Sequence, residues 1–343
     1  MISSQITGTN DKLDILLSKG SEDLVKLFHR PDITEIYVND DGYIWYLSSE
    51  EGKVKSNIYL DGERIMAIMR YIAGDAGKII TEDIPSISCD IQGYGYRFQG
   101  EIPPIVLHPQ FNVRKKATKI FTLDDYVKNG TITPYYKEYL EKAVKSRKNI
   151  LVVGGTATGK TTFLNAILEA ISELTPYHRI ISLEDLPELQ CRADDYSPMF
   201  TVQETNEGKQ IKYDMTRLLM DCMRRSPDRI VVGEVRDGCA YTMLKAWNTG
   251  HEGGCCTVHA NSAEQGLSRI KALAQENADA PKNNDNGIKE LIGDAIDVVV
   301  SIVHTDLGCG KRGRVVKEIL EVDKFDTNKG IYLLHKIPQT LTV

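Results

Sequence analysis

The stretch Asn149-Ile-Leu-Val-Val-Gly-Gly-Thr-Ala-Thr-Gly-Lys-Thr-Thr162 decides how the chain is read. Ile150 to Val153 form a short apolar run of the kind a buried strand shows, and Phe163-Leu-Asn-Ala-Ile-Leu168 continues as a helix. Between them Gly154, Gly159, Lys160 and Thr161 fit the spacing G-x-x-x-x-G-K-[ST], in the strand-before, helix-after context that this motif requires. Glycines let the backbone curl so that several N–H groups point inward at the positive end of a helix, which makes an anion nest. Gly154, Gly155, Thr156, Ala157, Thr158, Gly159, Lys160, Thr161 and Thr162 are therefore the expected nucleotide-binding residues. Lys160 is expected to reach the β- and γ-phosphates and Thr161 to ligate Mg²⁺. The plainer alternative is a glycine-rich strand-to-helix turn with a surface lysine.

Three further strand ends carry chemistry. Arg229-Ile-Val-Val-Gly-Glu-Val-Arg236 delivers Glu234 after a buried run, where such folds place a carboxylate beside metal and γ-phosphate. Glu234 and Thr161 are the candidate metal ligands. Ile180-Ile-Ser-Leu-Glu-Asp-Leu-Pro-Glu188 ends in Glu184, Asp185 and Glu188, three acids expected to form a negative pocket that coordinates or polarises a water. Thr249-Gly-His-Glu-Gly-Gly254 leads into Cys-Cys-Thr-Val-His259, whose imidazole would lie at a strand end, where in neutral form it could sense or bridge the γ-phosphate. His251 and His259 could equally be satisfied structural histidines.

Around this centre the order of elements gives two domains. Residues 1–115 read as mixed α/β: a helical pattern over 11–29, strand-like runs 33–39 and 43–47 around Asp-Asp-Gly, an amphipathic helix over 60–73, and short strands over 84–114. Residues 116–132 read as a linker containing a capping box at Thr122–Asp125, and residues 133–343 as an ATPase domain that opens with Thr133-Pro134 at a helix start. From Asn149 on, strands alternate with helices, which argues for a mostly parallel sheet. Residues 276–288 read as a solvated loop, and 321–337 as a terminal hairpin. In a chain of 343 residues, Lys and Arg number 42 against 48 Asp and Glu, a formal charge of −6. That charge does not support direct nucleic-acid binding, which needs a concentrated positive field. Arg114-Lys-Lys116 and Lys311-Arg-Gly-Arg314 read as solvated faces or nucleotide-side groups. Seven cysteines without C-x-x-C spacing point away from zinc and disulfides and toward a reducing, cytoplasmic setting; Cys255-Cys256 reads as two small buried residues. Neither a membrane span nor a secretory signal is visible, so membrane contact is expected to be indirect.

The succession of phosphate loop, RIISLEDLPELQ, DCMRRSPDRIVVGEVRD and KAWNTGHEGGCCTVHANS resembles the secretion, or traffic, ATPases, whose Walker A, Asp box, Walker B and His box come in this order. Within them the chain is most similar to the TrbB-type conjugal transfer ATPases of type IV secretion systems, through FTLDDYV, NILVVGGTATGKTT, EDLPELQC, PDRIVVGEVRD and LKAWNTGHEGG. It departs from them at SISCDIQGYGY (86–96), where they carry a more apolar, proline-containing stretch. The resemblance implies an α/β fold with an N-terminal PAS-like α/β domain and a C-terminal RecA-like P-loop NTPase domain. It implies a homo-hexamer using ATP and Mg²⁺, peripheral at the inner face of the cell membrane, with type IV secretion inner-membrane components and a coupling protein as partners. It also implies that Arg97 and Arg114 reach the phosphates, and that either Glu184 or Glu188 positions the water.

The function expected is ATP hydrolysis that powers substrate or DNA transfer, or pilus biogenesis, in a conjugative system. The alternative within the same superfamily is a pilus-assembly or type II secretion ATPase; many type II members carry a Cys₄ zinc module that is not seen here. A nucleotide-gated scaffold without turnover would not need the full set of acids. No N-K-x-D or L-S-G-G-Q motif supports a GTP switch or an ABC transporter ATPase.

Overall fold

The computed structural model describes residues 17, 21–48, 51–91, 94, 96–115, 120–202, 213–281, 284–306 and 312–340. The chain divides into two units, Met1–Thr118 and Lys119–Val343. The hydrophobic positions Leu13 and Leu16 of the first expected helix lie outside the described residues.

In the first unit the two strand-like runs expected around Asp-Asp-Gly pair antiparallel as a hairpin. Helix α1 (Glu22–His29) is capped by the Ser21 side chain. Strands β1 (Ile33–Val38), β2 (Tyr43–Ser48) and β3 (Gly52–Tyr59) follow, then helix α2 (Gly62–Asp75) and strands β4 (Ser86–Ile91), β5 (Tyr96–Glu101) and β6 (Gln110–Arg114). All pairs are antiparallel, in the order β3-β2-β1-β6-β5-β4. Leu24, Leu27 and Phe28 of α1 and Ile65, Ile68, Met69 and Ile72 of α2 share one core with Ile36, Val38, Phe98, Phe111 and Val113. The period-2 alternation of the strands turns the other sheet face outward, where Tyr43 and Leu47 are exposed and the Tyr37 and Trp45 rings stack 6.3 Å apart under Lys53.

The second unit is a three-layered α/β body. Helix α3 (Leu123–Lys128) starts in the expected capping box: the Thr122 hydroxyl accepts from the Asp125 N–H at 3.1 Å, and the Asp125 carboxylate accepts from the Thr122 N–H at 3.1 Å. Its Leu123 and Tyr126 are buried, with the Tyr126 ring 5.0 Å from Phe163 in edge contact. So the stretch read as a linker packs into this unit's core from α3 onward. Helix α4 (Pro134–Lys145), strand β7 (Ile150–Gly154) and helix α5 (Lys160–Leu174) come next. The remaining elements are β8 (Ile180–Glu184), β9 (Tyr196–Phe200), α6 (Met215–Cys222), β10 (Arg229–Val232), α7 (Cys239–Trp247), β11 (Cys255–His259), α8 (Ala263–Gln275), α9 (Asp285–Ala295), β12 (Val298–Asp306), β13 (Arg312–Asp326) and β14 (Ile331–Lys336).

The eight-stranded sheet runs β14-β13-β12-β7-β11-β10-β8-β9. From β12 to β9 every pairing is parallel, and β13 and β14 add an antiparallel edge. The strands of the centre are apolar on both faces because both faces carry helices. Cys255 and Cys256 show this directly: one belongs to the layer under α5, the other to the layer under α7 and α8, and burial pushes the Cys255 thiol up to about 12. Part of the expected loop 276–288 is helical instead. Asn284 caps α9 by accepting from the Gly287 N–H at 2.9 Å, so the run of polar residues is a helix start.

Two buried polar side chains tie the starts of the parallel strands together. The Asn149 amide oxygen accepts from the N–H groups of Gly253 and Gly254, each at 2.8 Å, and its NH₂ donates to Ala295 O at 2.8 Å. Fully buried Arg229 donates to Gly253 O, Val144 O and His178 Nδ1 at 2.7, 2.8 and 3.0 Å. Burial draws that guanidinium down to about 10, which keeps it charged at neutral pH. A buried donor left without a partner costs about 1–3 kcal/mol, so Asn149→Ala should destabilise the protein by about 2–6 kcal/mol, measured by urea unfolding. His178 is held neutral by burial and by Arg229, below its ordinary value. The unfolded chain therefore takes up that proton first as pH falls. The wild type should lose stability below pH of about 6.5 more steeply than His178→Gln does, in unfolding curves compared at neutral and mildly acidic pH.

Candidate functional site

Parallel register brings four strand ends level. Val258 and His259 of β11 pair with Val153 and Gly154 of β7. Val232 of β10 pairs with Leu183 of β8, so Gly233 and Glu234 leave their strand beside Glu184. Thr257 fixes that exit: its hydroxyl donates to Gly233 O at 2.7 Å and its carbonyl accepts from the Val235 N–H at 2.9 Å.

The loop after β7 has the curl its composition predicted. Ala157 and Gly159 have positive φ, 59° and 90°, and Gly159 caps α5. A Cβ at Gly154 would stand 2.4 Å from Ile302 O and 2.5 Å from Thr158 Oγ1, so only glycine fits there. Thr156 and Ala157 are exposed; Gly155, Thr161 and Thr162 are half-buried. A turn of this kind at the N-terminus of a long helix suits an anion.

Lys160 is only 7 % exposed. Its ammonium donates to Gly155 O at 2.9 Å and lies 3.2 Å from His259 Nδ1. His259 Nε2 lies 3.0 Å from Glu234 Oε1. An ammonium can only donate, so Nδ1 accepts and the ring proton sits on Nε2, facing the carboxylate. Burial lowers the His259 pKa and the Lys160 charge lowers it further, against the pull of Glu234, so the ring is neutral at pH 7. For Glu234 burial works upward, but the Arg236 hydrogen bond and charge, with His259 and Lys160, outweigh it and hold the carboxyl below its ordinary value.

The three acids after β8 are not used alike. Glu184 is 3 % exposed, and its Oε2 accepts from the N–H groups of Glu188 and Leu189 at 2.8 and 2.7 Å. Its carboxylate thus shapes the loop that carries Glu188. Asp185 accepts from Thr201 Oγ1 at 3.0 Å and faces Arg236 at 3.6 Å. Asn165, on α5, clamps the same loop by accepting from the Gln190 N–H at 2.9 Å and donating to Glu188 O at 3.3 Å. His251 belongs to the other end of the sheet, with Nδ1 3.3 Å from Pro227 O.

Sequence reasoning missed Arg236, which pairs with both Glu234 and Asp185. It stands two residues after Glu234 in the quoted motif, and that spacing was the available signal. It also missed Asn165, whose role exists only through the fold of the acidic loop. In the first unit, Arg97 and Arg114 are direct cross-strand partners on β5 and β6, flanked in register by Asp90 and Glu35. Two guanidinium groups side by side repel unless acids or a bound anion compensate them.

Because Glu234 raises the His259 pKa and Lys160 lowers it, Glu234→Gln should move the His259 titration to lower pH and Lys160→Ala to higher pH. NMR titration of the imidazole resonances checks both signs.

The profile of the family described as "Type II/IV secretion system protein" matches residues 80–330. A probable conjugal transfer protein TrbB of Sinorhizobium fredii is 38 % identical over 298 residues, covering 86 % of this chain and 84 % of that protein. The type IV secretion system protein PtlH of Bordetella pertussis is 29 % identical over 310 residues, 84 % of this chain and 90 % of its own. Among solved structures, the Legionella pneumophila ATPase DotB superposes with a TM-score of 0.61 at 18 % identity, over 96 % of this chain and 84 % of that one, which is a likeness of fold.

Proposed function

The chain belongs to the Type II/IV secretion system protein family, and we propose that it is a ring-forming ATPase that powers transfer through a conjugative type IV secretion system. The observation that carries this reading is the chain Lys160–His259–Glu234 at the mouth of the glycine loop, with the Glu188 loop beside it. Relatives named for conjugal transfer and type IV secretion give the direction of the work. A ring of six copies and indirect contact with inner-membrane components and a coupling protein follow from the family resemblance. Among the described residues no helix is long and apolar enough to cross a membrane.

The residues fit ATP with Mg²⁺: a curled loop at a helix N-terminus, a half-buried Thr161 hydroxyl, and an ionised Glu234 held by a neighbouring arginine. Thr161 and Glu234 would hold the metal, which supplies charge neutralisation at the β- and γ-phosphates. Backbone N–H groups of residues 154–162 bind the phosphates, and Lys160 leaves Gly155 O and His259 for them. His259, neutral and hydrogen-bonded to Glu234, carries the state of the γ-phosphate site to β11. Glu188 is assigned the water, because Glu184 is committed to its own loop. Arg97 and Arg114 are assigned to charge on the transferring phosphoryl group, where an arginine is worth about 10³–10⁵ in rate.

Phosphate release from Mg-ATP by the purified chain tests the reading. Lys160→Ala and Glu234→Gln should abolish turnover, and Glu188→Gln should lower kcat by about 10²-fold or more. Glu184→Gln should instead lower Tm, because the loop loses its anionic acceptor. Native mass measurement with and without ATP should show six copies; near wild-type hydrolysis by Glu234→Gln would remove Glu234 from the mechanism.

A further inference from the structure

The ribbon formed by β12 and β13 does not stop where the sheet stops. Pairing of β12 with β7 ends at Ser301 opposite Val153, while β12 continues with β13 through His304 opposite Arg314 to Asp306 opposite Arg312. The ribbon therefore runs on beside the phosphate loop, pressed against it where Ile302 meets Gly154. It is anchored from outside the sheet by the Val316 N–H, which donates to Thr131 O at 2.8 Å.

This extension carries Arg314 onto the loop. Its Cδ, Nε and Cζ lie 3.1, 3.3 and 3.5 Å from the point where a Cβ on Gly159 would stand. Gly159 is the cap of α5, at φ 90°. The absent side chain thus serves two ends: the left-handed backbone and the close approach of a guanidinium. Arg314 is exposed and, among the described residues, makes no ion pair or hydrogen bond. An unpaired guanidinium held against an anion nest is in electrostatic deficit until an anion arrives.

Topology decides which part of the ligand it meets. β7 lies between β11 and β12. Lys160 points to the β11 side, where His259, Glu234 and the acidic loop stand. Arg314 stands on the β12 side. A triphosphate laid along the loop with its γ end at Lys160 and the carboxylates puts its nucleoside end toward the other flank. We infer that Arg314 binds the α-phosphate of the nucleotide and so closes the loop's charge from the side opposite Lys160. The inference rests on the nucleotide reading proposed above. It gives the third basic residue of the Lys311–Arg314 cluster, read in the sequence as a solvated face or a nucleotide-side group, a specified contact.

Binding of ADP and GDP to the purified full-length chain, followed by calorimetry, tests it. Arg314→Ala should raise Kd for both nucleotides by about tenfold to a hundredfold, the loss of one charge-assisted hydrogen bond, and Arg314→Lys should recover part of it. Tm without nucleotide should stay the same, because among the described residues the side chain has no hydrogen bond or ion pair to lose. An Arg314→Ala protein that binds both nucleotides as tightly as wild type overturns the inference and leaves the nucleotide reading intact. A loss confined to ADP overturns the α-phosphate assignment in favour of a contact to the base. Wild-type protein that binds neither nucleotide overturns both readings.

Discussion

Parallel pairing among β7, β11, β10 and β8 is the constraint on which the second unit's site depends, and it is set at the end of the sheet away from the chemistry. A parallel ladder has no tight turn to fix its register, so something else must. Here Asn149 holds the starts of β7 and β11 and the residues leading into β12, while Arg229 joins the starts of β10 and β11 to the end of α4 and to His178. The bonds of the Asn149 side chain and those of Arg229 to the two carbonyls are buried, where a missed partner costs more than it would in water. With the starts fixed, the ends are fixed too: His259 stands beside Gly154, and Glu234 leaves its strand next to Glu184. A shift of one residue would turn each of these side chains to the opposite face.

Given that frame, the charges at the strand ends arrange themselves in alternation. A cation, Lys160, meets a neutral imidazole, which meets an anion, Glu234, which meets a second cation, Arg236, which faces a second anion, Asp185. The neutral ring lets an ammonium and a carboxylate communicate without direct pairing. Burial and the Lys160 charge hold this histidine below its ordinary pKa, which keeps the ring neutral in that place, where a protonated ring would present a hydrogen to Lys160. Glu184 illustrates the opposite use of a carboxylate. It is turned inward to receive two N–H groups, and the loop so formed presents Glu188.

The first unit follows a different logic. Its six-stranded antiparallel sheet buries one face under α1 and α2 and turns the other outward, where register lines up Asp90, Arg97, Arg114 and Glu35 across four strands. The like-charged pair at its centre is a local cost that acids at both ends offset. Nothing in the linear order of Arg97 and Arg114 shows that they are neighbours; antiparallel pairing of β5 with β6 makes them so.

What the linear sequence determined by itself was whatever depends on local chemistry. The Gly154–Thr162 motif needs only backbone freedom and a following helix, and the capping box at Thr122 only four consecutive residues; both were legible. The buried strands around Val153 and Val232 declared themselves as apolar runs, and Glu234 and His259 could be placed at strand ends. Tertiary structure decided the rest, because it depends on which strands become neighbours. Which acid turns inward, that Arg236 bridges two carboxylates, that Asn149 and Arg229 set the register, that Asn284 starts a helix inside a polar run, and that Arg314 lies against Gly159 are outcomes of pairing and packing between segments as far apart as 155 residues in the chain, counted from Gly159 to Arg314. Hydrogen bonds and close contacts between such segments have no periodicity to read; they exist only once the ladder has brought the segments together.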